Sequence, residues 1–174
     1  MSVTVGAEEG ATSAVSADAA TDAGSVPWLD AEESAAWRAF INGSQRLLGT
    51  LNRELLDATG LSLDDYRILV NLSESPTGAL RMSELAEGIV SSRSRLTHQV
   101  RRLEAQQLVR RQDCPSDGRG VLAVLTDHGR ATLTEVAPGH VASVRKHLVD
   151  QLSPAERRVL MGVFSRVDKA LQDN

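Results

Sequence analysis

Residues 82–126 read MSELAEGIVSSRSRLTHQVRRLEAQQLVRRQDCPSDGRGVLAVLT, and this stretch decides the fold. Its first half carries two helices in quick succession. Ser83 is placed to cap the first, with Glu84 and Glu87 near the positive end of the helix dipole and Leu85, Ala86 and Ile89 on the buried side. Ser92 is placed to cap the second, which extends to about Gln106. Leu96, Val100 and Leu103 fall at i, i+4 and i+7 and form one narrow apolar stripe. Only Val90 and Ser91 separate the two helices, which are the proportions of a helix-turn-helix. The period then turns extended. Leu108–Gln112 and Val121–Leu125 read as strands, and residues 113–120, with Pro115 and Gly118, read as the turn of a projecting hairpin.

Helices flank this segment on both sides. Upstream, Trp37, Phe40, Ile41, Leu47, Leu48, Leu51 and Leu55 recur at steps of three and four in a long amphipathic helix that ends near Gly60. Ser62 and Asp65 form a capping-box pair for a second helix burying Tyr66, Leu69, Val70 and Leu72, which stops before Pro76. Thr77-Gly78 turns the chain into a short extended piece, Leu80–Met82. Downstream, Thr126 caps a helix that reaches about Gln151 with a bend near Pro138-Gly139. Ser153-Pro154-Ala155-Glu156 then opens a last helix carrying Val159, Leu160, Val163, Phe164, Val167 and Leu171 on its buried side. The fold class is mainly α with a small β-hairpin wing, a winged helix-turn-helix between long N- and C-terminal helices.

The chain has 174 residues, 41% of them hydrophobic and 24% charged, which suits a globular protein with its own core. One cysteine, Cys114, excludes an internal disulfide, and 3% aromatic content is too thin for a base-stacking platform. No apolar run approaches a membrane span and the N-terminal stretch lacks the features of a signal peptide, so the expected location is cytoplasmic. Residues 1–27 lack any period and read as a flexible acidic tail; residues 28–174 read as one domain, with a lobe at 61–133. The net charge of −4 divides unevenly: residues 1–37 hold seven acids and no base, whereas residues 91–111 hold six arginines and one acid, Glu104. Such asymmetry suggests a nucleic-acid footprint, although a charge cluster taken alone is more often a solvated arginine-rich helix face.

With Leu96, Val100 and Leu103 turned inward, a wheel at about 100° per residue places Ser94, His98, Arg101 and Arg102 outward, with Arg95 and Thr97 flanking. Base edges in a major groove are read by such hydrogen-bonding groups, and phosphates are neutralised by arginine. Ser92 and Arg93 sit at the helix N-terminus, where backbone N–H groups favour a phosphate. A protein-interaction module built on the helix pair, without DNA binding, is the alternative. Partner-binding helices expose apolar anchors, and this face has none.

The stretch Met82-Ser-Glu-Leu-Ala-Glu, Ser92-Arg-Ser-Arg-Leu-Thr-His, Val100-Arg-Arg-Leu-Glu-Ala and Leu108-Val-Arg-Arg resembles the DNA-binding core of MarR-type transcriptional regulators. Asp117-Gly-Arg119, with Leu125-Thr126 and Gly129-Arg130 downstream, is similar to that family's wing signature. The resemblance implies a homodimer interlocked through residues 30–58 and 140–172, acting on a pseudo-palindromic DNA duplex as a ligand-responsive repressor. It implies one recognition helix per subunit in the major groove and Arg119 in the minor groove, oriented by Asp117. It further implies a phenolic or drug-like effector near Trp28, Trp37 and Tyr66. Val90 and Gln107 depart from the family pattern, standing where glycine is usual.

Other readings weigh against single residues. Arg102 suits either DNA or an ion pair with an acid such as Glu87, while Arg93, Arg95 and Arg101 have too few acids nearby to be structural. Arg130 reads as an ion-pair partner. Cys114 has no second thiol to resolve an oxidised state, which argues against redox sensing. His98, His128, His140 and His147 lack metal-ligand spacing, and no phosphate loop, nucleophile elbow or facing carboxylate pair suggests an enzyme or a bound cofactor.

Overall fold

The computed structural model describes residues 26–89, 92–114 and 117–173, the last segment beginning with three residues described by backbone alone. Residues 1–25, Val90, Ser91, Pro115 and Ser116 lie outside the described residues, and with them most of the expected acidic tail. The chain falls into two units, residues 1–37 and 38–174. In the first, the Asp30 N–H donates to Glu33 Oε2 at 2.9 Å and the Glu33 N–H donates to Asp30 Oδ1 at 2.8 Å. This reciprocal pair opens α1 (Ala31–Thr59) by satisfying two amides that have no helical acceptor.

The second unit follows the expected order of elements. It contains α2 (Leu63–Glu74), β1 (Ala79–Arg81), α3 (Met82–Gly88), α4 (Arg93–Ala105), β2 (Val109–Cys114), β3 (Asp117–Leu125), α5 (Asp127–His147), a 3-10 turn at Val149–Gln151, and α6 (Pro154–Gln172). Ser62, Ser92, Thr126 and Ser153 all cap as their positions predict. Pro138 sits inside α5. Ile68, Leu69 and Leu72 of α2, Leu85 of α3, and Leu96, Val100 and Leu103 of α4 are fully excluded from water and centre the core. No helix among the described residues is long and apolar enough to cross a membrane.

Four local expectations are corrected. The extended piece after Gly78 is a third strand: β1 pairs antiparallel with β3, Leu80 opposite Ala123, in a sheet of order β1-β3-β2. Because pairing continues through Arg81, α3 starts at Met82, and Glu84 rather than Ser83 makes the end contact by accepting the Arg81 N–H at 3.0 Å. The hairpin strands are longer than the turn residues suggested. Cys114 faces Asp117, and the irregularity of residues 113–120 is absorbed as a register break after Asp113. On β3 the inward residues are Ala123 and Leu125, while Leu122, Tyr66 and Val70 are only half-buried.

The terminal helices leave most of their apolar stripes uncovered in the single chain. Only Leu51 and Leu55 of α1 are buried, and no residue of α6 is. Phe40, Leu48, Val159, Val163, Phe164, Val167 and Leu171 are exposed in the single chain.

Two backbone features fix where α4 ends and α5 begins. Gln107 adopts φ 59°, the left-handed conformation that glycine favours, and Leu108 N–H reaches back to the Leu103 carbonyl at 3.0 Å. Thr126 Oγ1 lies 2.7 Å from the Gln107 carbonyl and 3.0 Å from that of Leu108, and accepts the Gly129 N–H at 2.9 Å. Gly129 itself passes so close that a Cβ would stand 2.1 Å from the Leu108 carbonyl oxygen. The Leu-Thr…Gly-Arg motif is thus a backbone junction between wing and α5.

Candidate nucleic-acid interface

Helix α4 is held by its inner stripe and along both flanks. On one flank Arg95, Gln99 and Arg102 form a row at helical spacing against the first turn of α2. Arg95 Nη2 lies 3.0 Å from Asp64 Oδ2, and Gln99 Nε2 donates to the same oxygen at 3.2 Å. Arg102 donates to both oxygens of Asp65. Asp65 is buried and also accepts the Ser62 N–H at 3.0 Å and the Ser62 hydroxyl at 2.6 Å. On the other flank Glu104 accepts the Arg111 N–H at 3.2 Å and its Nε at 2.9 Å, binding the helix to the base of the wing. The Arg111 side-chain and backbone hydrogen bonds hold the Glu104 carboxyl below its usual range.

The remaining face is open. Ser92, Arg93, Ser94, Arg95, His98 and Arg101 are exposed, and Thr97 is half-buried with its hydroxyl donating to the Arg93 carbonyl at 2.8 Å. Among the described residues neither Arg93 nor Arg101 has an acidic partner within ion-pair distance. Arg93 and Thr97 line a cleft with Arg81, Met82, Ser83, Arg111, Gly120 and Val121, where α3, α4 and the wing converge. Asp117 and Arg119 belong to β3, but their side chains lie outside the described residues.

These partners revise three expectations. Arg95 does have an acid, Asp64, brought from 31 residues upstream by the fold. Arg102 is an ion-pair residue, but its partner is Asp65 rather than Glu87. Arg130, expected in an ion pair, has no carboxylate partner among the described residues; its Nη2 lies over Gly78.

Trp28 is 95% exposed and Trp37 53%. Tyr66 is half-buried with its ring 4.4 Å from that of His140, and burial raises the Tyr66 pKa and lowers that of His140. His140 also borders a cavity of about 120 Å³ between α1 and α5, with Leu51, Leu55, Val136, Gly139 and Ser143. Glu54, on the α1 side, accepts the Ser143 hydroxyl and meets His147 Nε2 at 2.8 Å. Cys114 is buried.

The sequence model of the MarR family matches residues 61–121. The regulator PecS of Dickeya dadantii is 30% identical over 115 residues, covering 66% of this chain and 69% of PecS. The crystal structure of AbsC, a MarR family transcriptional regulator from Streptomyces coelicolor, superposes with a TM-score of 0.80 at 44% identity, covering 86% of this chain and all of AbsC. The chain belongs to the MarR family. It is a DNA-binding transcriptional regulator with the winged-helix architecture of that family, not a bare interaction module. Sco3205, a MarR family regulator from the same Streptomyces, has a TM-score of 0.82 at 44% identity and covers 86% of this chain and 93% of its own. Its structure is a complex with DNA. In this MarR-family regulator the family match spans α2 to β3, the part containing both flanking clamps.

Proposed function

We propose that this chain acts as a homodimeric, ligand-responsive repressor on a pseudo-palindromic DNA duplex. Helix α4 enters the major groove through Ser92, Arg93, Ser94, Arg95, Thr97, His98 and Arg101. Asp117 and Arg119 of the wing engage the minor groove. The observation that carries the reading is the open face of α4: a row of hydroxyl, imidazole and guanidinium groups, two of the arginines without an acidic partner among the described residues, on a helix held by its inner stripe and both flanks. Fixed donors of this kind suit base edges and phosphates. The DNA complex of Sco3205 supports the same partner. The exposed apolar sides of α1 and α6 supply the subunit contact, and a small aromatic effector docking near Tyr66 and His140 relieves repression.

The salt dependence of binding tests this. Three or four cationic contacts per subunit release counterions from roughly six to eight phosphates per dimer. The logarithm of affinity should then fall with the logarithm of salt at a slope of about −5 to −7. A slope shallower than about −2 would overturn DNA binding as the function.

A further inference from the structure

The Asp64–Arg95 pair differs from its neighbour about two turns along α4. Arg102 Nη2 bridges both oxygens of a buried carboxylate, whereas the Arg95 side chain is 69% exposed and its Nη2 meets one oxygen of the half-buried Asp64. Asp64 Oδ2 is held in turn by Gln99 Nε2, itself fixed by burial, so the acid stands still beside the arginine. Arg95 is the third residue of α4, and in helix-turn-helix proteins the N-terminal residues of this helix meet base edges.

An unrestrained arginine in that place would sweep the groove wall and neutralise whichever phosphate came near, a contact without sequence information. Nη2 contributes one hydrogen to each of the two forks of a guanidinium, so holding one of them on Asp64 fixes the plane and leaves the other fork facing one direction, the requirement for a bidentate contact to the O6 and N7 of guanine. The Asp64 carboxylate also repels a phosphate approaching from the α2 side. We infer that Asp64 is a positioning residue for sequence readout: it converts Arg95 from a phosphate-binding arm into a reader of guanine. This rests on the DNA-binding reading given above. Asp64 itself touches no base.

The test compares the intact protein with Asp64→Asn, Arg95→Ala and the double variant. Each is titrated with the duplex enriched from a random-sequence library and with the unselected pool, over a range of salt. Asp64→Asn should tighten binding to the pool several-fold, steepen its salt slope by about 0.9 per subunit, and lower the preference for the selected duplex about tenfold, with guanine lost at one position per half-site. In the Arg95→Ala background the same Asp64→Asn change should raise affinity for both duplexes alike, through the lost negative charge, and leave the base preference unchanged. Equal effects of Asp64→Asn on selected and unselected DNA when Arg95 is present, or a change in base preference that persists without Arg95, would overturn the proposal. Arg95 is exposed and Asp64 half-buried at the surface, and Asp64→Glu, which keeps the charge, should restore the guanine preference; failure to restore any of it would count against the proposal. Absence of salt-dependent binding by the unaltered protein would instead overturn the DNA-binding reading itself.

Discussion

The Arg102 guanidinium of α4 lies 2.5 Å from Oδ1 and 2.6 Å from Oδ2 of Asp65, the same carboxylate that caps the first turn of α2. One acid therefore orients two helices. Removing Arg102 leaves a buried carboxylate with Ser62 as its donor, which should cost about 2–3 kcal/mol, a hydrogen-bonded charge pair at the protein side of the scale. Arg102→Ala should lower the thermal midpoint while leaving the base preference of bound DNA unchanged. A shifted consensus with an unchanged midpoint would place Arg102 on DNA instead.

Gln107 and Gly129 make opposite predictions from backbone geometry. Gln107 holds φ 59°, where an L side chain is strained by roughly 1 kcal/mol, so Gln107→Gly should raise the midpoint by about 2–4 °C. Gly129→Ala would drive a methyl into the Leu108 carbonyl, which has no room to retreat because Thr126 binds it too. A loss of about 3 kcal/mol is expected, read by chemical denaturation.

Acid should weaken the fold in a window that His140 sets. Burial lowers its pKa below the ordinary value of 6.5, so below that pH the unfolded chain binds a proton that the folded chain refuses. Stability from this group is complete above about pH 6.5 and declines as the pH falls through the window beneath it. In His140→Phe the decline between pH 7.5 and 5.5 should be smaller than in the unaltered protein, by thermal melts at matched salt. A second fall belongs to Glu54. The Ser143 and His147 hydrogen bonds hold its pKa below 4.5, so its contribution is present above that pH and is lost on further acidification.

Assembly is testable on α6 alone. Val159, Val163, Phe164, Val167 and Leu171 are exposed together, and the Phe164 ring stands 5.4 Å from that of Phe40 on α1. An apolar face of this extent on two long helices calls for a second copy across a two-fold axis. Phe164→Asp with Val167→Asp should sediment as monomers and lose operator binding with α4 unaltered. Monomeric behaviour of the unaltered protein at micromolar concentration would refute the dimer.

Local signals in the sequence carried most of the fold. Ser62, Ser92, Thr126 and Ser153 name their helix starts because each partner amide is three residues away, whereas Ser83 does not cap α3, and the stripe of Leu96, Val100 and Leu103 is set by helical period alone. Pairings across long separations were out of reach. Nothing near Arg95 or Arg102 in the chain announces Asp64 and Asp65, and so the count of six arginines overstated the charge available to DNA. Three of them, Arg95, Arg102 and Arg111, already have carboxylates. The extended run after Gly78 was legible, but its place in the sheet was not, because only pairing with β3 makes those three residues a strand. Gln107 shows the reverse. Its departure from the family glycine was legible, and the structure keeps the glycine-like backbone despite the side chain.

The labour within α4 is divided by face. Ser94, His98 and Arg101 make no side-chain hydrogen bond among the described residues, while the inner stripe and the two clamped flanks hold the helix in place. Substitution at those three positions is therefore cheap for folding and, on the function proposed above, decisive for address. A lineage of such proteins can wander from one operator to another by small steps, each keeping a folded intermediate, because these three side chains are not the ones that hold the helix in place.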